Sequence, residues 1–342
     1  MPALYLNGFE TSARLESERI IITQYDPLRE EKQDHTVHLR DIDRAIFTGQ
    51  PAVRMSVFHA LLKRGIPISL LSESGRWLGG VVPAEHGDIS RRLRQYELAA
   101  NETIRRKIAA ALVRRKLLNS RRCLQRLAAN RSESSEQHQQ KAVTELADLA
   151  KQVTHARELD EIRGYEGMGA AIYFSRLKDF FPEETPFEYR SRRPPHNEAN
   201  ALLSWCYAIL TSEIDTRLRV AGLDPGLGFL HGILYNRPSL SLDLLEVYRA
   251  PICDLLALKL LNHKVLQKMD FTYDAERGGF YLKKEAKRTF FIEYERSMER
   301  LFRRPGEEKH TTFRRSIEDD IHNIIKTLEK PEEFQPDFFA MP

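Results

Sequence analysis

Two carboxylates, Asp243 and Glu246, stand where they could bind a cation. They are three residues apart in a segment with helical periodicity, which puts both side chains on one face of a helix. Adjacent carboxylates attract divalent ions, yet a pair with this spacing is more often a solvated helix face. The spacing alone therefore leaves the role of this pair open.

Two further ionisable residues, Glu166 and His231, are each surrounded by glycines and apolar side chains. A carboxylate such as Glu166 costs free energy if it is buried without a partner, so the alternative is an exposed charge or an ion pair with Arg163 or Arg176. His231 closes the run GLDPGLGFLH. A lone histidine of this kind is more often a structural residue than a metal ligand.

Other common site chemistries have no matching motif in this sequence. It contains no Walker loop, no GxGxxG run and no serine or cysteine in a nucleophile elbow. Its three cysteines are far apart in sequence, which predicts neither a disulfide framework nor a CxxC zinc site. No apolar stretch is long enough to span a bilayer and no secretion signal is evident, so we expect a soluble protein of the reducing cytoplasm.

Basic side chains concentrate in one helical segment. The formal net charge is only +4, but thirteen Lys and Arg residues lie between Arg91 and Arg131 against two acids. Such a stripe can follow DNA phosphates, and the alternative is a solvated face balanced by acids elsewhere in the fold. A proline-containing loop over residues 190–197 is also basic. The candidate DNA-binding residues are Arg114, Arg115, Arg121, Arg122, Arg190, Arg192 and Arg193.

The elements that position these side chains fall into two parts of the chain, which differ in the periodicity of their apolar residues. Residues 3–82 alternate with period two or form short branched apolar runs, which predicts strands interrupted by one helix over 52–63. After residue 83 the 3.6-residue period predicts helices. We therefore expect an α+β protein, with a small N-terminal β domain (1–85), a larger all-α catalytic domain (86–330) and an extended or disordered tail (331–342). The main expected helices cover 89–127, 136–156, a segment from 158, 198–220, 239–261, 284–302 and 312–328.

Four sequence blocks resemble, in order and separation, the signature blocks of the integrase/endonuclease family that inserts new spacers into CRISPR arrays. They are GYEGMGAAIYF at 164–174, NALLSWCYAIL at 200–210, AGLDPGLGFLH at 221–231 and SLDLLEVYRAPICD at 241–254. Similarity extends to RGIPISLLSESGRWLGGVVP at 64–83 and GGFYLKKEAKRTFFIEYE at 278–295, and in part to HTVHLRDI at 35–42. The resemblance covers nearly the whole chain.

The resemblance implies a metal-dependent site. Glu166, His231 and Glu246 correspond to the metal-binding positions of the family blocks, with Glu at 246 where some members have Asp. Asp243 corresponds to an acidic position that shapes the site. Carboxylate and imidazole ligands with water suit Mg or Mn, and such an ion would let a DNA 3′-OH attack a phosphodiester.

The resemblance also implies partners. They are double-stranded DNA, both protospacer and CRISPR repeat, a second copy joined through the β domain, and a small ferredoxin-like CRISPR protein. Two alternatives remain at this stage. The same ligands could serve a nuclease or a branched-DNA resolving enzyme that uses water, or, if they do not converge, the chain could be a non-catalytic DNA-binding scaffold.

Overall fold

The chain divides into two compact units. The computed structural model describes residues 3–8, 10–26, 31–84, 89–129, 136–235, 237–304, 306–333 and 337–342. The first unit comprises Met1–Gly87 together with Asp215–Gly222, and the second comprises Asp88–Ile214 and Leu223–Pro342. Strands dominate the first unit and helices the second, so the expected α+β fold is confirmed.

Two four-stranded sheets and one helix make up most of the first unit. One sheet has the order β1-β5-β7-β8, with the first two pairs parallel and the last antiparallel. The other has the order β4-β3-β2-β6. Alternate apolar residues such as Leu4, Leu6 and Ile20 enter a common core with Val57 and Leu61 of the helix. The elements are β1 (Ala3–Asn7), β2 (Thr11–Glu16), β3 (Arg19–Asp26), β4 (Glu31–His38), β5 (Arg44–Thr48), β6 (Ala52–Val53), α1 (Met55–Lys63), β7 (Ile68–Leu71) and β8 (Trp77–Val81).

The first unit also contains a segment from much later in the chain, Asp215–Gly222. Within this unit, the hydroxyl groups of Ser69 and Thr216 form a buried hydrogen bond of 2.8 Å. The Arg219 guanidinium lies over the Trp77 ring, 5.0 Å from its centroid. The N-terminal domain expected over 1–85 is therefore discontinuous, because a late segment supplies part of its packing.

The second unit is built from helices, with two short antiparallel strand pairs. The helices are α2 (Ile89–Ala100), α3 (Glu102–Ala128), α4 (Glu136–Gln152), α5 (Leu159–Leu177), α6 (Glu198–Val220, whose end belongs to the first unit), α7 (Ser239–Tyr248), α8 (Leu255–Asn262), α9 (Lys284–Met298) and α10 (Phe313–Glu329). The strand pairs are β9 (Phe271–Asp274) with β10 (Gly279–Leu282) and β11 (Phe302–Arg303) with β12 (His310–Thr311). Among the described residues, no helix combines the length and apolar character needed to cross a membrane.

Two helices that the sequence predicts as continuous are interrupted. Asn101 separates α2 from α3, because its backbone is extended and its side chain accepts a hydrogen bond from Ile104 N at 3.1 Å, as in a helix N-cap. The segment predicted as one helix over 239–261 changes to π-helix at Arg249–Asp254. Pro251 lies within this stretch and cannot donate a backbone hydrogen bond, which explains the departure from regular α-helix.

Helix α3 is the element around which the site assembles, because α4, α5 and α7 all pack against it. Its contact with α5 is close at Gly169, where a Cβ atom would overlap the buried Leu117 side chain. A glycine at this position therefore lets the two helices approach. The approach brings Glu166, one turn before Gly169, beside Lys116, the residue that precedes Leu117.

The last described residues, 337–342, are packed against the second unit, where the sequence predicts an extended or disordered tail over 331–342. They have no regular secondary structure, but Phe338 and Phe339 are buried. The Phe339 backbone N–H donates to both oxygens of Asp320, at 3.1 Å each. Its ring stacks on Tyr248 with centroids 5.1 Å apart. This segment belongs to the second unit, because apolar and aromatic side chains hold it there.

Candidate active site

Asp243 organises the loop that leads into α7. Its fully buried carboxylate accepts backbone hydrogen bonds from Phe229 (2.6 Å), Leu230 (2.9 Å) and His231 (3.0 Å). The loop can come this close because Gly228 has no side chain, since a Cβ there would lie 2.5 Å from Asp243 Oδ2. One carboxylate thus fixes the backbone that carries His231.

The same carboxylate orients the His231 imidazole. Nδ1 of His231 lies 2.6 Å from Asp243 Oδ1. Because a carboxylate that already accepts three backbone N–H groups can only accept here as well, we assign the proton to Nδ1. Nε2 of the neutral ring then carries the lone pair on the side away from Asp243. A carboxylate behind an imidazole is the usual arrangement that prepares a histidine for a metal ion.

Glu166 on α5 and Glu246 on α7 converge on one positive charge. The ammonium of Lys116, on α3, donates to Glu166 Oε1 and lies 2.6 Å from Glu246 Oε2. Lys116 and Glu246 are both buried, and Glu166 is half-buried. Two carboxylates that are distant in sequence therefore face a single small cationic group.

Glu246 is held in its charged form by its neighbours. Burial by itself favours the neutral acid and raises the pKa of Glu246, but the charges of Arg249 and Lys116 outweigh burial and hold this pKa well below its usual range. Arg249 donates to Glu246 Oε1 at 2.6 Å, and its guanidinium lies over the Tyr207 ring, 4.4 Å from the centroid.

The donor types of the predicted ligands, carboxylate oxygens and an imidazole nitrogen, match those that hold Mg²⁺ or Mn²⁺, and the structure brings the two carboxylates together. Glu246 Oε2 is buried and, although it lies beside the Lys116 ammonium, accepts no hydrogen bond of regular geometry from the described residues. Within the described parts of the chain, no three carboxylate, imidazole or thiol groups come together as a group that could hold a metal ion. The ligand set Glu166, His231 and Glu246 therefore stays a prediction, supported by the convergence of the two carboxylates.

The basic residues of α3 differ in their surroundings. Arg114 and Arg122 are exposed, whereas Arg115 and Arg121 are half-buried. Arg115 forms an ion pair and Arg122 a hydrogen bond with residues 337–342, the first to a carboxylate and the second to a backbone oxygen. Part of this stripe therefore binds the protein's own chain.

Arg190, a candidate DNA contact from the sequence, has partners within the protein. Its guanidinium donates to Asn200 Oδ1 at 2.8 Å and lies over the Tyr207 ring, 5.1 Å from the centroid. Burial lowers its pKa. The residue is turned into the second unit because α6 offers it these partners, which local composition does not reveal. Arg192 and Arg193 of the same loop are exposed.

Two residues of the site, Lys116 and Arg249, were not identified from the sequence. A signal existed for Lys116, because it falls on the apolar stripe of α3 between Val113 and Leu117 and a lysine on such a face needs an anionic partner. Arg249 follows Glu246 by three residues, a spacing at which opposite charges meet on a helix.

The chain matches known proteins over most of its length. The family model of the CRISPR associated protein Cas1 matches residues 4–296. A CRISPR-associated exonuclease Cas4/endonuclease Cas1 fusion from Rhodospirillum rubrum is 33% identical over 324 residues, which is 93% of this chain and 54% of the fusion. The chain thus spans about half of that relative. A CRISPR-associated endonuclease Cas1 from Thermodesulfovibrio yellowstonii is 32% identical, over 77% of this chain and 82% of that protein.

A solved structure shares the fold. A casposase bound to its integration product superimposes with a TM-score of 0.81 and 22% identity, covering all of this chain and 96% of the casposase. At that identity the likeness supports the fold alone. The family model and the two relatives lead to one conclusion. The chain belongs to the CRISPR-associated Cas1 family.

Proposed function

We propose that this chain is a metal-dependent DNA integrase of CRISPR adaptation. Family membership supports a role in CRISPR adaptation, and the curated relatives carry the name endonuclease. The observation that carries the proposal is the convergence of Glu166 and Glu246, from separate helices, on one positive charge. Asp243, on the same helix as Glu246, orients the His231 imidazole. A scaffold that only binds DNA has no need of two acids that converge in this way.

In this proposal Glu166, Glu246 and His231 hold Mg²⁺ or Mn²⁺. When bound, the ion would polarise the phosphodiester and stabilise the charge that develops on its oxygens. The protein's own groups would prepare the ligands. Asp243 holds the imidazole in one orientation, and Arg249 fixes one oxygen of Glu246 so that the other faces the site. The exposed arginines would contact DNA phosphates, which positions DNA without reading its sequence.

The proposed nucleophile is the 3′-OH of the incoming DNA. A protein nucleophile has little support, because Cys123, Cys206 and Cys253 are all buried. Burial raises the pKa of the Cys123 thiol to about 12 and the pKa values of the other two well above their usual range. A thiol that stays protonated at neutral pH is a poor nucleophile.

The partners we propose are the protospacer and repeat DNA, a second copy of the chain bound through the first unit, and a small ferredoxin-like CRISPR protein. These partners are proposed from family membership. The cytoplasm is the proposed compartment, because the CRISPR array is located there. A pull-down of the tagged chain with that small protein, followed by light scattering, measures the assembly.

A strand-joining assay tests the proposed reaction. Purified protein, its small partner and Mg²⁺ or Mn²⁺ should join a duplex with 3′-OH ends to a plasmid that carries the repeat. Ends blocked as dideoxy should not join, because the attacking hydroxyl is missing. His231→Ala should abolish joining and keep duplex binding, since one ligand is lost while the arginines remain.

Two outcomes of this assay would replace the proposal. Cleavage of the plasmid without joining would favour a nuclease in which water attacks. The proposed mechanism would be wrong if a duplex with dideoxy-blocked ends were joined, or if His231→Ala kept full joining activity.

A further inference from the structure

Lys116 occupies the point on which the site's carboxylates converge. Its ammonium contacts Glu166 Oε1 and lies 2.6 Å from Glu246 Oε2, and the residue is buried on the inward face of α3. A buried ammonium is stable only if anions compensate for its lost hydration. Here both compensating anions are residues that we propose as metal ligands.

A metal ion and this ammonium cannot use the same oxygens at the same time. Metal–oxygen distances in Mg²⁺ and Ca²⁺ sites are about 2.0–2.6 Å, and the Lys116 ammonium already lies 2.6 Å from Glu246 Oε2. Two positive charges this close repel strongly in a buried site. The other oxygen of Glu246 is engaged by Arg249, so the oxygen open to a cation is the one that Lys116 faces.

We propose that Lys116 and the divalent cation compete for Glu166 and Glu246, and that the displaced ammonium pairs with a phosphate of the bound DNA. This inference rests on the proposed function. The ammonium ends a flexible four-carbon chain, so rotation of side-chain bonds can release it while α3 stays in place. Metal binding and DNA binding are then coupled, because DNA supplies the anion that the released ammonium needs.

Mn²⁺ binding to the full chain without DNA measures the competition. We expect Lys116→Met to bind Mn²⁺ about tenfold or more tightly than the wild type, as judged by the electron paramagnetic resonance signal of free Mn²⁺, because a competing charge is removed. Lys287→Met is the matched control. It also removes a buried ammonium, one that lies 5.0 Å from the centroid of the Trp205 ring, and should leave Mn²⁺ affinity unchanged.

A duplex added to the same measurement tests the coupling. Mn²⁺ affinity should rise more in the wild type than in Lys116→Met, because only the wild type has an ammonium to transfer to phosphate. If Lys116→Met does not fold without metal, Lys116→Gln keeps polar contacts with both carboxylates and should show the same direction. In either variant Mn²⁺ should raise the thermal unfolding midpoint more than in the wild type, since the ion replaces the missing charge.

Glu246→Gln separates failure of this inference from failure of the proposed function. If Glu246→Gln loses Mn²⁺ while the Lys116 variants bind no more tightly than the wild type, the metal site stands and the competition is wrong. If DNA raises the Mn²⁺ affinity of the wild type and of Lys116→Met equally, the proposed transfer of the ammonium to phosphate is wrong. If the wild type and the Lys116 variants all bind no Mn²⁺ with or without DNA, the metal site itself fails, and this inference fails with it.

Discussion

Asp243 carries the largest number of site contacts of any single carboxylate described above. It accepts hydrogen bonds from the backbone N–H groups of Phe229, Leu230 and His231 and from the His231 imidazole. Its two oxygens are shared evenly between these four donors. The loop and the imidazole therefore depend on a group that need not touch a metal ion.

We expect Asp243→Asn to weaken DNA joining by about 10- to 100-fold. The amide keeps the shape of the carboxylate, but it has one acceptor oxygen and places an NH₂ group against donors. Joining rate and Mn²⁺ affinity are the measurements. The exposed Asp148→Asn is the control, and retention of full activity by Asp243→Asn would show that the imidazole is held by other means.

Single residues differ in how far the sequence reveals them. Glu166, His231 and Glu246 were identified through blocks of family resemblance, since their spacing alone left a structural role as the more common explanation. Lys116 was not identified because its partners are on other helices. Arg249 was not identified because its partner lies one helical turn away on a buried face. The intramolecular partners of Arg190 were not predicted, because charge in a loop does not reveal which way the side chain turns.

At the scale of elements, the aromatic contacts of residues 337–342 support α7. The ring of Phe339 stacks on Tyr248, the last residue of α7, and meets Phe302 and Phe313 with centroids 5.8 and 5.6 Å away. Asn119 of α3 adds polar contacts, because its side chain donates to the backbone oxygens of Val247 and Phe339. The segment thus braces the helix that carries Glu246.

We therefore expect Phe339→Ala to lower the free energy of unfolding by about 3–5 kcal/mol, since it leaves a cavity among buried rings. Urea unfolding measures the loss. Met269→Ala, at a side chain that is 73% exposed, should change it little. A loss for Phe339→Ala no larger than that of the control would mean that the segment does not contribute to packing.

The periodicity of apolar residues was enough to predict most helices and strands. It did not predict where two of the helices are interrupted. The 3.6-residue pattern runs through Asn101 and Pro251 without a break, because apolar residues continue on both sides. The cap at Asn101 and the π-helical turn at Pro251 depend on local hydrogen bonds that a hydrophobic pattern does not record. The packing of residues 337–342 was not predicted, because the segment is too short to give a periodic signal.

At the scale of the whole molecule, one buried acid should make stability depend on pH. Burial raises the pKa of Asp320 to about 7, although hydrogen bonds from Tyr248 and Phe339 and the charge of Arg304 oppose it. The unfolded chain should have its ordinary value of about 3.9. The folded state therefore binds this proton more tightly than the unfolded state does.

The sign of the effect follows from proton linkage. The contribution of Asp320 is fully present below about pH 4 and is lost as the pH rises to about 7, so this group makes the free energy of unfolding fall across that range. Asp320→Asn removes this slope. Urea unfolding at pH 5 and pH 8 should show the variant gaining stability relative to the wild type at the higher pH. A difference that is the same at both values would contradict the raised pKa.

The change from strands to helices near residue 85 could be predicted from the sequence. The discontinuity of the first unit could not. Residues 215–220 are the last residues of α6 and continue its helical pattern without a break, and nothing local marks residues 215–222 as part of another unit. Their partners, Ser69 and Trp77, lie far back in the sequence.

This discontinuity has a consequence for protein synthesis. The ribosome releases residues 1–87 well before it makes Thr216 and Arg219, so the first unit waits unfinished while the helices that follow are still being translated. During that interval Ser69 lacks its buried hydrogen-bond partner and Trp77 lacks its cation. The N-terminal unit, although made first, can be completed only after more than half of the chain has been translated.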